Sequence, residues 1–199
     1  MIVTPGDAMT RLFAACTLAA LLAGCATTAD QLRGSMQPAT GQGHAVLAMT
    51  VQTYSPENAS ATLYWHGLDN NLAGTLRADF ALDTIFGAEG SPSADGKLQL
   101  LALPPGRYQL DRAVARWHSD TGADDYAIKA PRIVSLPLNL PFSVPAGHSV
   151  YLGDIRFNLD YRPDVTLLDS RQRDYAHMQR VWKVNDSASV QPQLLPGAR

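Results

Sequence analysis

Residues 134–144 read Val-Ser-Leu-Pro-Leu-Asn-Leu-Pro-Phe-Ser-Val, so Val134, Leu136, Leu138, Leu140, Phe142 and Val144 take every second position without a miss. A period of two puts all six side chains on one face of an extended chain and predicts a half-buried strand. Pro137 and Pro141 fall on the outward positions, and proline has no N–H for a sheet ladder. The stretch is therefore expected at a sheet edge, or as an extended segment crossing between sheets.

The same alternation recurs on both sides of this strand. Upstream, Ala45, Leu47, Met49 and Val51 oppose Val46, Ala48 and Thr50, and Ala61, Leu63 and Trp65 oppose Thr62, Tyr64 and His66. Leu76, Ala78, Phe80 and Leu82 oppose Thr75, Arg77, Asp79 and Ala81. Leu98 and Leu100 begin a further strand that ends in Leu101-Ala102-Leu103. Tyr108 and Leu110 face inward in the next, and the phase then flips to Ala113, Ala115 and Trp117, the mark of a bulge or bend. Downstream, Tyr151, Ile155, Phe157, Leu159 and Tyr161 are expected on one face, interrupted at Gly153, where a bulge or a bulky neighbour fits.

Turn chemistry separates these runs. Pro104-Pro105-Gly106 and Pro145-Ala146-Gly147 pair a preset φ with a residue that accepts positive φ, and Ser91 to Gly96 reads as a further turn. Many short strands so spaced predict an all-β fold, an antiparallel β-sandwich of Ig-like or transthyretin-like kind with about seven to eight strands. Helical spacing appears once: Tyr175, Met178 and Trp182 recur at i, i+3 and i+7, with Asp169 as the expected cap and Gln172 three residues on. One C-terminal helix is expected near Ser170 to Val181.

The chain has 199 residues, 46% hydrophobic and 17% charged, with a formal net charge of -2. That composition builds a core and excludes a wholly disordered chain, and the charge balance leaves no electrostatic footprint for nucleic acid.

Leu12 to Ala23 is an apolar run of 12 residues. It is too short to cross a bilayer as a helix, which needs about 20, and it has the size of the apolar region of a secretory signal. Met9-Thr10-Arg11 makes a cleaner start than Met1, because Asp7 dilutes the positive flank. Leu22-Ala23-Gly24-Cys25 follows and resembles the lipobox of bacterial lipoproteins, in which the Cys is diacylated before the signal is cleaved. The resemblance implies cleavage between Gly24 and Cys25 and lipidation of Cys25. Cys16 then leaves with the signal, and no thiol remains for a disulfide. Each buried lipid CH₂ contributes about 0.8 kcal/mol, so two or three acyl chains hold a protein firmly. By that family's sorting rule, Ala26 after the Cys implies the outer membrane, periplasmic face, with surface exposure open. The expected organisation is a signal peptide over 1–24, a flexible Thr-, Gly- and Gln-rich tether over 25–43, a domain over 44–185, and a disordered tail over 186–199.

A second resemblance rests on LQLLALPPGRYQL (98–110), PFSVPAGHSVYLGDIRF (141–157), and the Arg173-Asp174 dipeptide within the helical segment 169–182. These are similar to an uncharacterised group of bacterial surface lipoproteins with a prealbumin-like or carboxypeptidase-regulatory-like β-sandwich. The resemblance implies a fold and a compartment, and it carries no catalytic residues to transfer.

Candidate chemistry is sparse. His148-Ser149 lacks the second glycine of a nucleophile elbow and precedes a strand. His118-Ser119-Asp120 has the three residue types of a hydrolase, but loop neighbours rarely converge on one point. The five His include no i, i+4 pair for zinc, and Asp120 to Asp125 lacks the acidic alternation of a calcium loop. No catalytic residue, metal or cofactor is expected. Tyr64 and His66, opposite Trp65, are candidates for a sugar or protein contact, the plainer reading being that Trp65 fills the core and Tyr64 covers a sheet edge. Arg171, Arg173 and Arg180, with Lys183 beyond, are candidates for contact with lipid or lipopolysaccharide phosphates, the plainer reading being helix electrostatics. The expected role is a membrane-anchored, non-catalytic binding or adaptor module with an envelope protein partner. The alternative is a glycan- or envelope-polymer-binding module.

Overall fold

The computed structural model describes residues 27–118 and 130–199. Gly24, Cys25 and the signal segment lie outside the described residues, as does all of the 118–125 segment except His118. The described chain is mostly β. Its strands are β1 (Gly43–Gln52), β2 (Ser60–Gly67), β3 (Ala73–Asp79), β4 (Thr84–Ile85), β5 (Ala94–Leu103), β6 (Gly106–Trp117), β7 (Arg132–Val144), β8 (Ser149–Asn158), β9 (Asp164–Leu168) and β10 (Gln191–Pro192). Two helices accompany them, α1 (Thr28–Leu32) and α2 (Arg171–Arg180).

The smaller sheet has the order β3-β2-β6-β7, so the proline-bearing strand β7 lies at an edge. The larger sheet runs β10-β8-β1-β5-β4, with β9 also on β8. It is mixed rather than wholly antiparallel, because β1 and β10 both run parallel to β8. β9 covers the β8 edge from Asp154 to Asn158, and β10 takes over at Val150 and Tyr151. Between the faces of the two sheets lies the main core, with Leu47, Leu63, Trp65, Tyr108, Leu110, Phe142, Ile155 and Phe157. Gly74 is required beside Trp65, since a Cβ there would come within 2.7 Å of the indole ring.

Two bulges set the side-chain directions. In β6, Tyr64 of β2 pairs with Arg112 and Trp65 with Leu110, which leaves Asp111 as the extra residue behind the predicted phase flip. In β8, Val46 of β1 pairs with Tyr151 and Ala48 with Asp154, so Leu152 and Gly153 together face Leu47. Gly153 takes φ +104°, favourable for glycine. The bulge overturns the expectation that Tyr151 shares a face with Ile155. Tyr151 points away from the inter-sheet core into a second apolar layer with Leu32, Met36, Val46, Ala48, Ile85, Met178, Trp182 and Val190.

That second layer also corrects both ends of the domain. The expected tether is packed from residue 27: α1 begins with a Thr27–Asp30 capping box, and Leu32 and Met36 are buried. The expected disordered tail is packed as well. Val190 and Leu195 are buried, and the N–H groups of Gln193 and Leu195 donate to the Tyr151 and Leu152 carbonyls. Isolated apolar residues in polar segments carry no period; Leu32, Met36 and Val190 gain their burial from the outer face of the larger sheet, and Leu195 joins the main core. The helix cap is Ser170 rather than Asp169, whose carboxylate binds the Arg171 guanidinium and N–H instead. Leu82 and Tyr161 are exposed, not inward, because β3 ends at Asp79 and β8 at Asn158 before either is reached.

Candidate functional site

The bulge at Gly153 aims Asp154 under α2, where a closed ionic network forms. Asp154 accepts from the Thr50 hydroxyl at 2.8 Å, from the Ser170 hydroxyl at 3.3 Å and from Arg173 Nη2 at 3.1 Å. Arg173 Nε donates to Asp174 Oδ1 at 2.7 Å, and the Tyr151 hydroxyl donates to Asp174 Oδ2 at 2.6 Å. Burial pushes the Asp174 carboxyl up to about 6, against the pull of Arg173 and Tyr151. Burial also raises the Tyr151 phenol, helped by the neighbouring Asp174 charge. For Arg173, desolvation works against the charge, and Asp174 and Asp154 outweigh it. The strand segment Tyr151-Leu152-Gly153-Asp154 and the helix dipeptide Arg173-Asp174 thus interlock, each satisfying the other's buried charges. Arg173 therefore fastens the helix to the sheet and is not a free phosphate contact.

The other helix cations are also engaged. Arg171 forms a bidentate pair with Asp169, and Arg180 Nη1 donates to the Gly87 carbonyl. His177 accepts the Phe86 N–H on Nδ1 at 3.0 Å, with its ring stacked on Phe86. Burial, with Arg173 and Arg180 nearby, depresses its pKa to about 4.

Tyr64 and His66 lie on the outer face of the smaller sheet, with Trp65 buried behind them. The Arg112 guanidinium sits 4.3 Å above the Tyr64 ring, and His66 Nδ1 is 2.9 Å from the carboxylate of the bulged Asp111. The two side chains are each covered by a β6 neighbour and do not converge. Ser149 is buried and donates to the Met36 carbonyl beside His44 Nδ1, while His148 points to Gln191. The His148-Ser149 pair is thereby split. Among the described residues, no group of three or more His, Cys, Asp or Glu is placed to hold a metal.

The concave feature with ligand-like chemistry was not legible in the sequence. Past the ends of β1 and β8, Tyr54 is 75% exposed and Tyr161 85%, with rings perpendicular, centroids 6.2 Å apart and hydroxyls 3.3 Å apart. They border a cleft of about 490 Å³ with Asn158, Asp160, Arg162 and Asp164. Asp160 Oδ1 fixes the Tyr54 strand end by accepting from the Thr53 hydroxyl at 2.7 Å and the Tyr54 N–H at 3.1 Å. Exposed aromatic faces beside carboxylate and amide groups suit a polyhydroxylated or peptide ligand. Only the tertiary turn after each strand brings residues 54 and 161 together, so local spacing held no signal.

No protein-family model and no curated protein matches the chain. A solved leucine-rich repeat protein from Bacteroides thetaiotaomicron VPI-5482 aligns at 13% identity and a TM-score of 0.32. The alignment covers 73% of this chain and 16% of that one, and a likeness at that level carries no argument about fold or function.

Proposed function

We propose that the chain is a lipid-anchored envelope protein, held by acyl chains on Cys25 in the outer membrane and working at its periplasmic face as a non-catalytic binding module. The finer fold in this reading is a prealbumin-like or carboxypeptidase-regulatory-like β-sandwich. The observation that carries it is the Leu22-Ala23-Gly24-Cys25 motif standing just ahead of Thr27, the N-cap of α1. Anchoring confines the module to the membrane plane and raises its effective concentration for a co-anchored partner. Purification of the native protein in mild detergent, with mass spectrometry of its N-terminus and companions, tests this. An acylated Cys25 with a stoichiometric envelope protein supports it, and a free, unacylated N-terminus overturns it.

The Tyr54–Tyr161 cleft favours a second reading, a glycan- or envelope-polymer-binding module. Retention on immobilised envelope glycan that is lost in Tyr54→Ala and Tyr161→Ala supports the second reading over a protein adaptor.

A further inference from the structure

The distance between Cys25 and the folded domain decides how the protein meets a membrane. Had residues 25–43 been a coil, the leash would have a root-mean-square reach of about 5–6 Å times the square root of its length, or roughly 23 Å. Instead the chain is already packed at Thr27, whose N–H and side chain are both tied to Asp30. The segment after α1 is pinned as firmly. Asp186 accepts from the Ser35 hydroxyl at 2.6 Å and the Met36 N–H at 2.7 Å, and the Asn185 N–H donates to the Gly34 carbonyl at 2.9 Å.

Two residues span at most about 7 Å. The headgroup layer on one side of a bilayer is of the same size, about 5–8 Å. Acyl chains on Cys25 lie in the hydrocarbon, so Thr27 is held at headgroup depth, and all of α1 lies within about 8 Å of it. Resting on the anchoring reading above, we infer that the face built by α1 and the adjoining 183–185 turn is apposed to a lipid surface. Arg33 and Lys183 are exposed on this face, and neither pairs with a carboxylate among the described residues. Anionic headgroups or lipid A phosphates complement them. The Asn185 N–H bond to the Gly34 carbonyl brings the backbones that carry Arg33 and Lys183 side by side. α1 borders His44, Leu100 and Ala102 at the starting end of β1, whereas the Tyr54–Tyr161 cleft lies beyond its far end. Ten strand residues put roughly 30 Å between those ends, so the cleft stands clear of the lipid.

The test uses the processed lipoprotein in vesicles of phosphatidylethanolamine and phosphatidylglycerol. Nitroxide labels go on Arg33→Cys, Lys183→Cys, Arg116→Cys and Tyr161→Cys, one at a time. Labels at 33 and 183 are expected to be several-fold less accessible to a water-soluble relaxant than those at 116 and 161. A Gly/Ser insert between Ala26 and Thr27, long enough for a reach of about 20 Å, is expected to erase that contrast. A contrast unchanged by the insert overturns the argument from span. Intact mass of the same preparations separates the two ways of failing. An acylated chain with all four labels equally wet overturns the membrane-facing patch and leaves the anchor standing, while an unacylated chain brings down the anchor itself.

Discussion

Arg173 of α2 and Asp154 of β8 meet at 3.1 Å across the boundary between helix and sheet, and the Asp154 carboxylate has no exposed side-chain surface. A carboxylate so enclosed depends on its partner, and Asp174 on the same guanidinium compounds the demand. Removing one member of a buried ion pair typically costs about 3–5 kcal/mol, because the other charge stays desolvated. Arg173→Met is expected to lower unfolding stability in urea by that order. Arg173→Lys should recover only part of the loss, since an ammonium lacks the planar fork that serves two carboxylates at once. A loss under about 1 kcal/mol for Arg173→Met would sink this account of how α2 is held.

Two buried groups nearby give opposed pH slopes. Asp174 has a folded pKa of about 6, above its unfolded value, so its contribution is full below the unfolded pKa and is lost as pH rises through 6. His177 has a folded pKa of about 4, below its unfolded value, so its contribution is present above 6.5 and is lost as pH falls through 4. Each shift is worth on the order of 3 kcal/mol, and between pH 4 and 6 they offset one another. Replacing His177 with Asn, whose Oδ1 keeps an acceptor for the Phe86 N–H, is expected to leave a protein whose stability falls from pH 4 to 6. Asp174→Asn should leave one whose stability rises. Urea midpoints across that range decide it, and parallel profiles in the two variants would contradict the assignment.

Gly153 is expected to resist substitution. It combines φ +104° with a position where a Cβ would lie 2.9 Å from the Leu168 carbonyl oxygen. Gly153→Ala should cost about 1–3 kcal/mol through backbone strain and the clash with β9. Thermal unfolding checks this, and an unchanged midpoint would show that the bulge relaxes without penalty.

This bulge also marks where local reading stopped. Alternation located seven strands to within a few residues, the phase flip between Leu110 and Ala113 located the β6 bulge, and the two prolines pointed to the β7 edge, because each signal is written in neighbouring side chains. At Gly153 the sequence left open whether a bulge formed, and the side to which Tyr151 turned followed from that choice. β1 is closed to solvent along its first eight residues, from Gly43 to Thr50. Its near-continuous apolar run, Ala45 to Met49, is the pattern of a strand covered on both faces. What covers its outer face, Leu32, Met36 and Val190 among others, sits in segments with no periodicity. The Tyr54–Tyr161 cleft was hidden for the same reason, being made only by tertiary structure.

The packed N-terminal segment makes its own prediction. Met36 is 1% exposed, in the apolar layer over β1, and Met36→Ala is expected to cost about 2–5 kcal/mol. Deleting residues 27–42 should destabilise the domain further by uncovering Val46 and Ala48. A free tether would show neither effect in urea unfolding.

Tyr54 and Tyr161 should behave in the opposite way. As exposed side chains beyond the strand ends, their replacement by Ala is expected to move stability by no more than about 0.5 kcal/mol. Any loss of ligand retention in those variants is then a loss of contact surface, provided circular dichroism and the unfolding midpoint stay as in the parent.

The parallel pairing of β1 with β8 has a consequence for the order of assembly. His44 is partnered by Ser149, and the edge of β8 beside Val150 is finished only by Gln191 and Pro192. A chain delivered N-terminus first therefore carries its most apolar strand uncovered while most of the remaining residues are still arriving. Pairings this distant in sequence form slowly. Until the segment at Gln191 and Pro192 docks, that edge of β8 stays open, and a chain cut short before residue 191 is expected to be prone to aggregate.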